Sequence, residues 1–365
     1  MSQVRWGIIS TATIGHRNWQ AIKLSGNGRV AGVASRSSDS AQAYVQQCQD
    51  WCAFEEPPLA FGSYQELIES DQIDAVYVPL PTGLRKEWVI AAAKAGKHVM
   101  CEKPCSASLA DLTEMTEACR ANNVQFMDGV MFMHTERLNR MRAVLEDGSS
   151  VGDMRRIHCQ FSFCADEQWM ETDIRLDSSL EPQGCLGDLG WYCIRYILWS
   201  MNYQMPARVE ATVLTERHRQ GSPSAVPIEF SAELFFGDGV SASFYCSFIT
   251  ENQQWANISG TKGYLHVNDF VLPYKGDEAT FEVSNADFVM NQCDFEMLNH
   301  RRTETVQEAG NSALNSEETN LFRNFNELVL GGTPDEKWAE ISLKTQQVMD
   351  QCLMVAREKS AVTSI

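Results

Sequence analysis

Residues 5–18, RWGIISTATIGHRN, join a short apolar run to small hydroxylated residues and a glycine. That combination could bind an anion. A pyrophosphate held at a strand-to-helix turn needs a tight bend, a backbone that can be approached closely, and helix N–H groups aimed at the anion. Aligned on G-x-G-x-x-G/A, the chain offers Ser10, Thr11, Ala12, Thr13, Ile14 and Gly15. Ser and Ala are small enough for the close approach, provided the first position does not require a positive φ. The third glycine is kept, and Ser10 and Thr11 add hydroxyl donors. Twenty residues after Gly15, where an acidic side chain would hold a ribose 2′-hydroxyl, stand Ser35 and Arg36. A hydroxyl followed by a guanidinium suits a 2′-phosphate instead. The expected cofactor is therefore NADP, with NAD the alternative.

A second group has the makings of proton chemistry. Asp188 and Tyr192 in GCLGDLGWY are four residues apart, one helical turn, so both can face one pocket. A tyrosine is a poor base at its ordinary pKa of about 10. A nearby ammonium such as Lys103 is expected to favour the phenolate and to stabilise a developing alkoxide. The competing reading is that WYCIRYILW is an apolar helix burying its tyrosine for packing. His134 in MFMHTERL is expected to line a substrate cleft, and Trp169 and Trp191 to stack on a ring, although packing is the commoner use of tryptophan.

The elements that must position these residues fall into two textures. VRWGIIS, RVAGVAS, IDAVYVPL, HVMCE and VQFMDG are short β-branched runs of the kind buried on both faces, and helix-like segments lie between them. Ser63 with Glu66, and Ser108 with Asp111, read as capping boxes. Strands alternating with helices predict a parallel, doubly wound α/β sheet. From about residue 150 the strands lengthen and alternate, as in MRRIHCQFSFCA, ARVEATVLTER, PIEFSAELFF and VSASFYCSFI, with a GDGV turn joining the last two. These predict an antiparallel sheet with one face on a core. Two amphipathic helices near the end are expected to pack back on the body. The division is set at residues 1–130 and 131–365.

The formal charge of −18 argues against nucleic acid or an anionic membrane as partner. No apolar run is long enough to span a bilayer, and MSQVRWGIIS enters a strand directly, so a cytoplasmic location is expected. The twelve cysteines include no C-x-x-C, which favours reduced, mostly buried thiols over a metal site. The outer face of the second sheet carries apolar residues, from which a homodimer through that sheet is expected.

The stretch AGKHVMCEKPCS, with Glu102-Lys103-Pro104 at its end, resembles the signature of the glucose-fructose oxidoreductase / inositol dehydrogenase (Gfo/Idh/MocA) family. The degenerate fingerprint, VYVPLPTGLR after the fourth strand and GCLGDLGWY follow in the family's order, and the likeness runs along essentially the whole chain. It is most similar to the branch holding the NADP-dependent xylose and dihydrodiol dehydrogenases. The resemblance implies an N-terminal Rossmann domain and a C-terminal α+β domain with a large, mostly antiparallel, open-faced sheet. It implies an oxidoreductase acting on a CH–OH group of a small polyhydroxylated, sugar-like or cyclic diol substrate. Carried over residue by residue, Lys103 lies beside the nicotinamide and the substrate oxygen, Tyr192 is the proton donor or acceptor, and Asp188 orients substrate hydroxyls and Lys103. Pro79, Leu80 and Glu102 border the cofactor, a cis bond before Pro104 aims the lysine, and Arg175 makes a polar contact to cofactor or substrate. Two departures stand out: Arg85 and Thr82 replace the usual His and Asn of P-N-x-x-H, and Tyr192 replaces a frequent His. A nucleotide-sensing regulatory protein and a resident-cofactor, glycoside-cleaving enzyme are the alternative readings on this fold.

Overall fold

The structure, a computed structural model, describes residues 3–362, with side chains through Glu358. Six strands, β1 (Val4–Ile9), β2 (Gly28–Ala34), β3 (Leu59–Phe61), β4 (Ala75–Val78), β5 (His98–Cys101) and β6 (Phe126–Asp128), pair in parallel in the order β3-β2-β1-β4-β5-β6. The helices between them are α1 (Ile14–Ser25), α2 (Ser38–Trp51), α3 (Tyr64–Glu69), α4 (Arg85–Lys94) and α5 (Leu109–Ala121). Trp6, Ile8, Val30, Val33, Val76, Val78, Val99 and Met100 are buried, as strands covered on both faces require. The capping expectation holds at the Ser residues: Ser63 Oγ accepts from Glu66 N and Ser108 Oγ from Asp111 N, each at 3.2 Å. The reciprocal half differs, because Glu66 accepts from Gly62 N and Asp111 turns to Lys86.

The second sheet has eight strands in the order β14-β13-β12-β11-β7-β10-β9-β8. They are β7 (Met154–Cys164), β8 (Arg208–Arg217), β9 (Val226–Phe235), β10 (Ser241–Ser247), β11 (Ile249–Gly260), β12 (Tyr264–Val267), β13 (Ala279–Asn291) and β14 (Asp294–Val306). All neighbours are antiparallel except β10 with β7. Phe230, Ala232 and Leu234 with Ala242, Phe244 and Cys246 form its buried face, the period-2 pattern of the sequence. Three helices, α6 (Glu136–Glu146), α7 (Glu167–Thr172) and α8 (Trp191–Ser200), precede most of this sheet.

The last two helices, α9 (Glu317–Gly331) and α10 (Lys337–Val362), return to the first sheet. Trp6 Nε1 donates to Asn326 Oδ1 at 2.9 Å, and Phe322 and Phe325 pack on the Trp6 ring. Thus one face of β1 is closed by a helix from the far end of the chain. Among the described residues no helix is long and apolar enough to cross a membrane. The twelve cysteines are free thiols, with Cys164 and Cys293 exposed, Cys52 half-buried and the others buried.

Candidate active site

A cleft of about 1260 Å³ runs along the C-terminal ends of β1, β2, β4 and β5 and over the face of the second sheet. Ligands bind at that edge in open parallel sheets because loops diverge there and helix N-termini point into the gap. At its first wall, Ser10 follows β1 with φ of +122°, a conformation that favours glycine. The proviso attached to the missing first glycine therefore fails: the turn does need a positive φ, and serine adopts it at a cost. Ser10 Oγ offsets part of that cost by accepting from Ala12 N at 3.2 Å. The retained Gly15 has a plain reason, since a Cβ there would sit 2.4 Å from Tyr44 Oη, where α1 meets α2.

One end of the cleft is bounded by Ser35, Arg36, Tyr64 and Trp88. Tyr64 and Trp88 form an edge-on pair with centroids 5.0 Å apart, offering a ring face beside the Arg36 guanidinium. The small-residue turn and the basic, aromatic end fit a dinucleotide: Ser10 to Ile14 would lie against its diphosphate, and Ser35 and Arg36 near its adenosine ribose.

At the other end, β5 delivers Glu102, Lys103 and, after a cis peptide bond, Pro104. Tyr77 Oη donates to Glu102 Oε1 at 2.5 Å, Asn18 Nδ2 donates to Tyr77 Oη at 2.6 Å, and Glu102 Oε2 accepts from Lys103 N at 3.1 Å. The buried Arg85, from the altered histidine position, donates to the carbonyls of Leu80, Glu102 and Pro104. It ties the end of β4 to the lysine's loop. Thr82 in turn pairs with Glu181 through backbone N–H, at 3.0 Å, and hydroxyl, at 2.5 Å.

Asp188 lies on a single π-turn, Leu186–Gly190, that feeds α8. Gly187 lets this turn approach the lysine loop, because a Cβ there would meet Gln183 Cβ at 3.0 Å and Pro104 Cγ at 3.1 Å. Lys103 Nζ consequently donates to Asp188 Oδ1 and to its backbone oxygen, both at 2.7 Å, while Arg175 Nε donates to Asp188 Oδ2 at 2.8 Å. Burial opposes ionisation of Asp188, but Arg175 and Lys103 together outweigh it and hold the carboxyl at about 2. Beneath α8, a buried ion pair between Arg195 and Asp128, at 2.6 Å, and a 3.3 Å bond from Trp191 Nε1 to the same carboxylate fasten the helix to β6.

Tyr192 faces the cleft one turn further on, with Lys103 Nζ 4.6 Å from its ring centroid. Its hydroxyl reaches Met131 Sδ at 3.7 Å. The expected drift toward phenolate is reversed: burial raises the phenol well above its ordinary value, and Glu102, Asp188 and Glu317 add to that, against Arg17. The ammonium lies over the ring and is already paired with Asp188, so little of its charge is left for the oxygen.

The cleft walls include Ser10, Thr11, Ala12, Thr13, Ile14, Ser35, Arg36, Pro79, Leu80, Glu102, Lys103, Arg175, Asp188 and Tyr192, all singled out by sequence. Two substrate candidates are not among them. His134 is buried, stacked on Trp338 at 4.7 Å and bonded to Asn324 at 2.9 Å. Trp169 packs edge-on against Phe163 and Phe248. Both serve the core, as does the fully buried Trp191. Sequence reading missed Arg17, Tyr77 and Glu318, and the wall made by Phe161, Asn252 and Gln253 of the second sheet with Tyr274 of the loop before β13. Only Arg17 carried a signal, its spacing of one helical turn from Thr13.

A parallel sheet whose C-terminal edge opens on a cleft, with Lys103 after β5, Asp188 on the π-turn and Tyr192 on α8 meeting there against an open-faced second sheet, is the arrangement of an oxidoreductase. Residues 4–130 match the oxidoreductase family with an NAD-binding Rossmann fold, and residues 138–266 the GFO/IDH/MocA C-terminal domain; the chain belongs to this family. It is 31% identical to D-xylose 1-dehydrogenase (NADP(+)) 2 of Haloferax volcanii over 72% of this chain and 75% of that one. It is 27% identical to trans-1,2-dihydrobenzene-1,2-diol dehydrogenase of Mus musculus over 82% and 87%. Among solved structures, levoglucosan dehydrogenase in complex with NADH and levoglucosan superimposes with a TM-score of 0.79 at 18% identity, covering 98% of each chain. The 3-ketoreductase KijD10 of Actinomadura kijaniata, with NADP and TDP-benzene, gives 0.78 at 24% identity over 97% and 98%. At such identities these two likenesses speak for the fold.

Proposed function

We propose that the protein is an NADP-dependent oxidoreductase that moves a hydride between the nicotinamide and a carbinol carbon of a small, uncharged polyhydroxylated substrate. The observation that carries this reading is the convergence of Lys103, Asp188 and Tyr192 at one end of a cleft whose other end holds Ser35 and Arg36. The xylose and dihydrodiol dehydrogenases named above support it, as does their NADP dependence where the name states it.

When bound, the nicotinamide supplies the acceptor or donor of the hydride. The chain's residues supply position and a proton path. Lys103, paired with Asp188, stabilises charge that develops on the substrate oxygen. Tyr192 is a neutral phenol, so it serves as proton donor in the reductive direction and regains the proton in the oxidative one. Asp188 fixes the lysine, and Arg175 keeps Asp188 ionised. The Glu102–Tyr77–Asn18 chain anchors the lysine's backbone from behind.

We assign residues 1–130 to nucleotide binding and 131–365 to substrate binding and self-association, with α9 and α10 packed back on the first part. We further propose a homodimer through the second sheet. Beyond Ser284, β13 and β14 project as a hairpin with Phe288, Met290, Phe295 and Met297 on one exposed face. Following nicotinamide absorbance with NADP and NAD in parallel, against pentoses, hexoses, anhydrosugars and dihydrodiols, tests the function. Turnover with NADP is expected on at least one member. Tight NADPH binding with no turnover on any would instead favour a sensing or resident-cofactor role.

A further inference from the structure

We propose that Arg17 binds the diphosphate of the nucleotide, supplying by charge what the glycine-poor turn cannot supply by backbone. The inference rests on the nucleotide reading above. A G-x-G-x-x-G turn holds a diphosphate through main-chain N–H groups that the anion can approach closely. Here several of those donors are spent. Ala12 N donates to Ser10 Oγ at 3.2 Å, Gly15 N to Ala12 O at 2.9 Å and His16 N to Thr13 O at 3.1 Å. Serine in place of the first glycine also adds a Cβ at the point of closest approach.

Arg17 stands on the first turn of α1, four residues after Thr13, so the two share a helix face. It borders the same cavity as Ser10 to Ile14. Among the described residues its guanidinium pairs through Nη2 with Glu318 and lies 3.8 Å from Glu317 Oε1. Both carboxylates are buried on the first turn of α9, at the opposite end of the chain. A guanidinium has five N–H donors in a planar fork, and a carboxylate needs one edge of it. The side chain remains 34% exposed and lines the cleft, so the proposal gives the rest of the fork to a phosphate oxygen. Glu318 and Glu317 thereby aim the arginine, and the bound nucleotide would be linked through it to α9.

Binding measurements without turnover test this. Calorimetry with ADP-ribose, which has the diphosphate and no 2′-phosphate, is compared with adenosine 2′-monophosphate, which has the 2′-phosphate and no 5′-phosphate. NADPH affinity is read from energy transfer between tryptophan and nicotinamide. Arg17→Ala is expected to weaken ADP-ribose and NADPH by about ten- to a hundredfold, the range of a charge-assisted pair, and to change adenosine 2′-monophosphate by less than about threefold. Arg36→Ala should give the converse, sparing ADP-ribose. Arg17→Lys should fall between wild type and Arg17→Ala, since it keeps the charge and loses the fork. Wild-type affinity for ADP-ribose in Arg17→Ala overturns the proposal. So does an equal loss of all three ligands, which would mean that Arg17 only packs α1 on α9. If the wild-type protein binds none of the three, the nucleotide reading itself fails, and this inference falls with it.

Discussion

At Tyr192 the hydroxyl touches a thioether and no cation, while the nearest ammonium lies over the ring. In the proposed reaction the tyrosine would therefore give a proton, and Lys103, paired with Asp188, would face the substrate oxygen. Asp188 keeps that arrangement intact over a wide pH range. Its carboxyl is depressed to about 2 in the folded protein, so the stabilisation is complete above the ordinary aspartate pKa and lost only as the pH falls toward 2. His134 works in the same direction at a higher pH. Burial, helped by Lys337 and Arg195, lowers it to about 3 from an ordinary 6.5, so folding loses stability as the pH falls from about 6.5 toward 3. Replacing it by His134→Gln should lower stability at neutral pH and flatten the decline below pH 6.5 by up to about 1.4 kcal/mol per pH unit, measured by denaturant unfolding across pH. An unchanged slope would mean that His134 does not stay neutral in the fold. Sequence reading expected Lys103, Asp188 and Tyr192 at one site, and all three line the cleft, but it expected His134 and Trp169 there too, and neither lines it. Loop position says where a side chain starts, while its direction is set by partners such as Trp338 and Phe248 that are remote in sequence.

The elements of the first sheet were legible because each buried strand is a β-branched run and each capped helix begins at a serine. The three-residue β3 went unseen, being too short and too exposed to show a period. Residues 249–306 were not read as strands: β11 carries ENQQ at its irregular start and residues 285–303 of the β13–β14 hairpin are exposed on both faces, although β12 and the start of β13, ATFEVS, do alternate, with Leu265, Val267, Ala279, Phe281 and Val283 buried. At the same scale, GCLGDLGWY was legible as a site and not as a π-turn. Its glycine at 187 is there for contact with Pro104. Gly187→Ala should push the turn from the lysine loop by a few tenths of an ångström and lower turnover by roughly tenfold, with NADPH affinity far less affected, because catalytic geometry tolerates little displacement. Steady-state kinetics beside a binding titration would separate the two; an equal loss in both would point to general damage.

Over the whole molecule, the cleft is assembled from places that no local pattern connects. Ser10 to Ile14 and Glu318 meet across more than three hundred residues, and Asn252 and Gln253 come from β11, a strand not read, with Tyr274 from the loop before β13. Fold class survived this because it depends on periodicity, whereas substrate shape depends on which walls meet. The exposed hairpin makes a prediction of its own. An isolated two-stranded ribbon with an apolar face is poorly stable in water, so self-association should cover it. Light scattering should give a dimer mass that Phe288→Asp with Phe295→Asp shifts toward monomer; a concentration-independent monomer in the wild type would contradict it. The most direct test of the central claim lies at Tyr192, in purified protein with NADP and a turned-over substrate. Tyr192→Phe should lose at least about a hundredfold in kcat, within the range of a lost proton donor, while binding NADPH as tightly as wild type. A Phe variant that turns over normally would show that the proton comes from elsewhere and that Lys103, Asp188 and Tyr192 are not the reacting group.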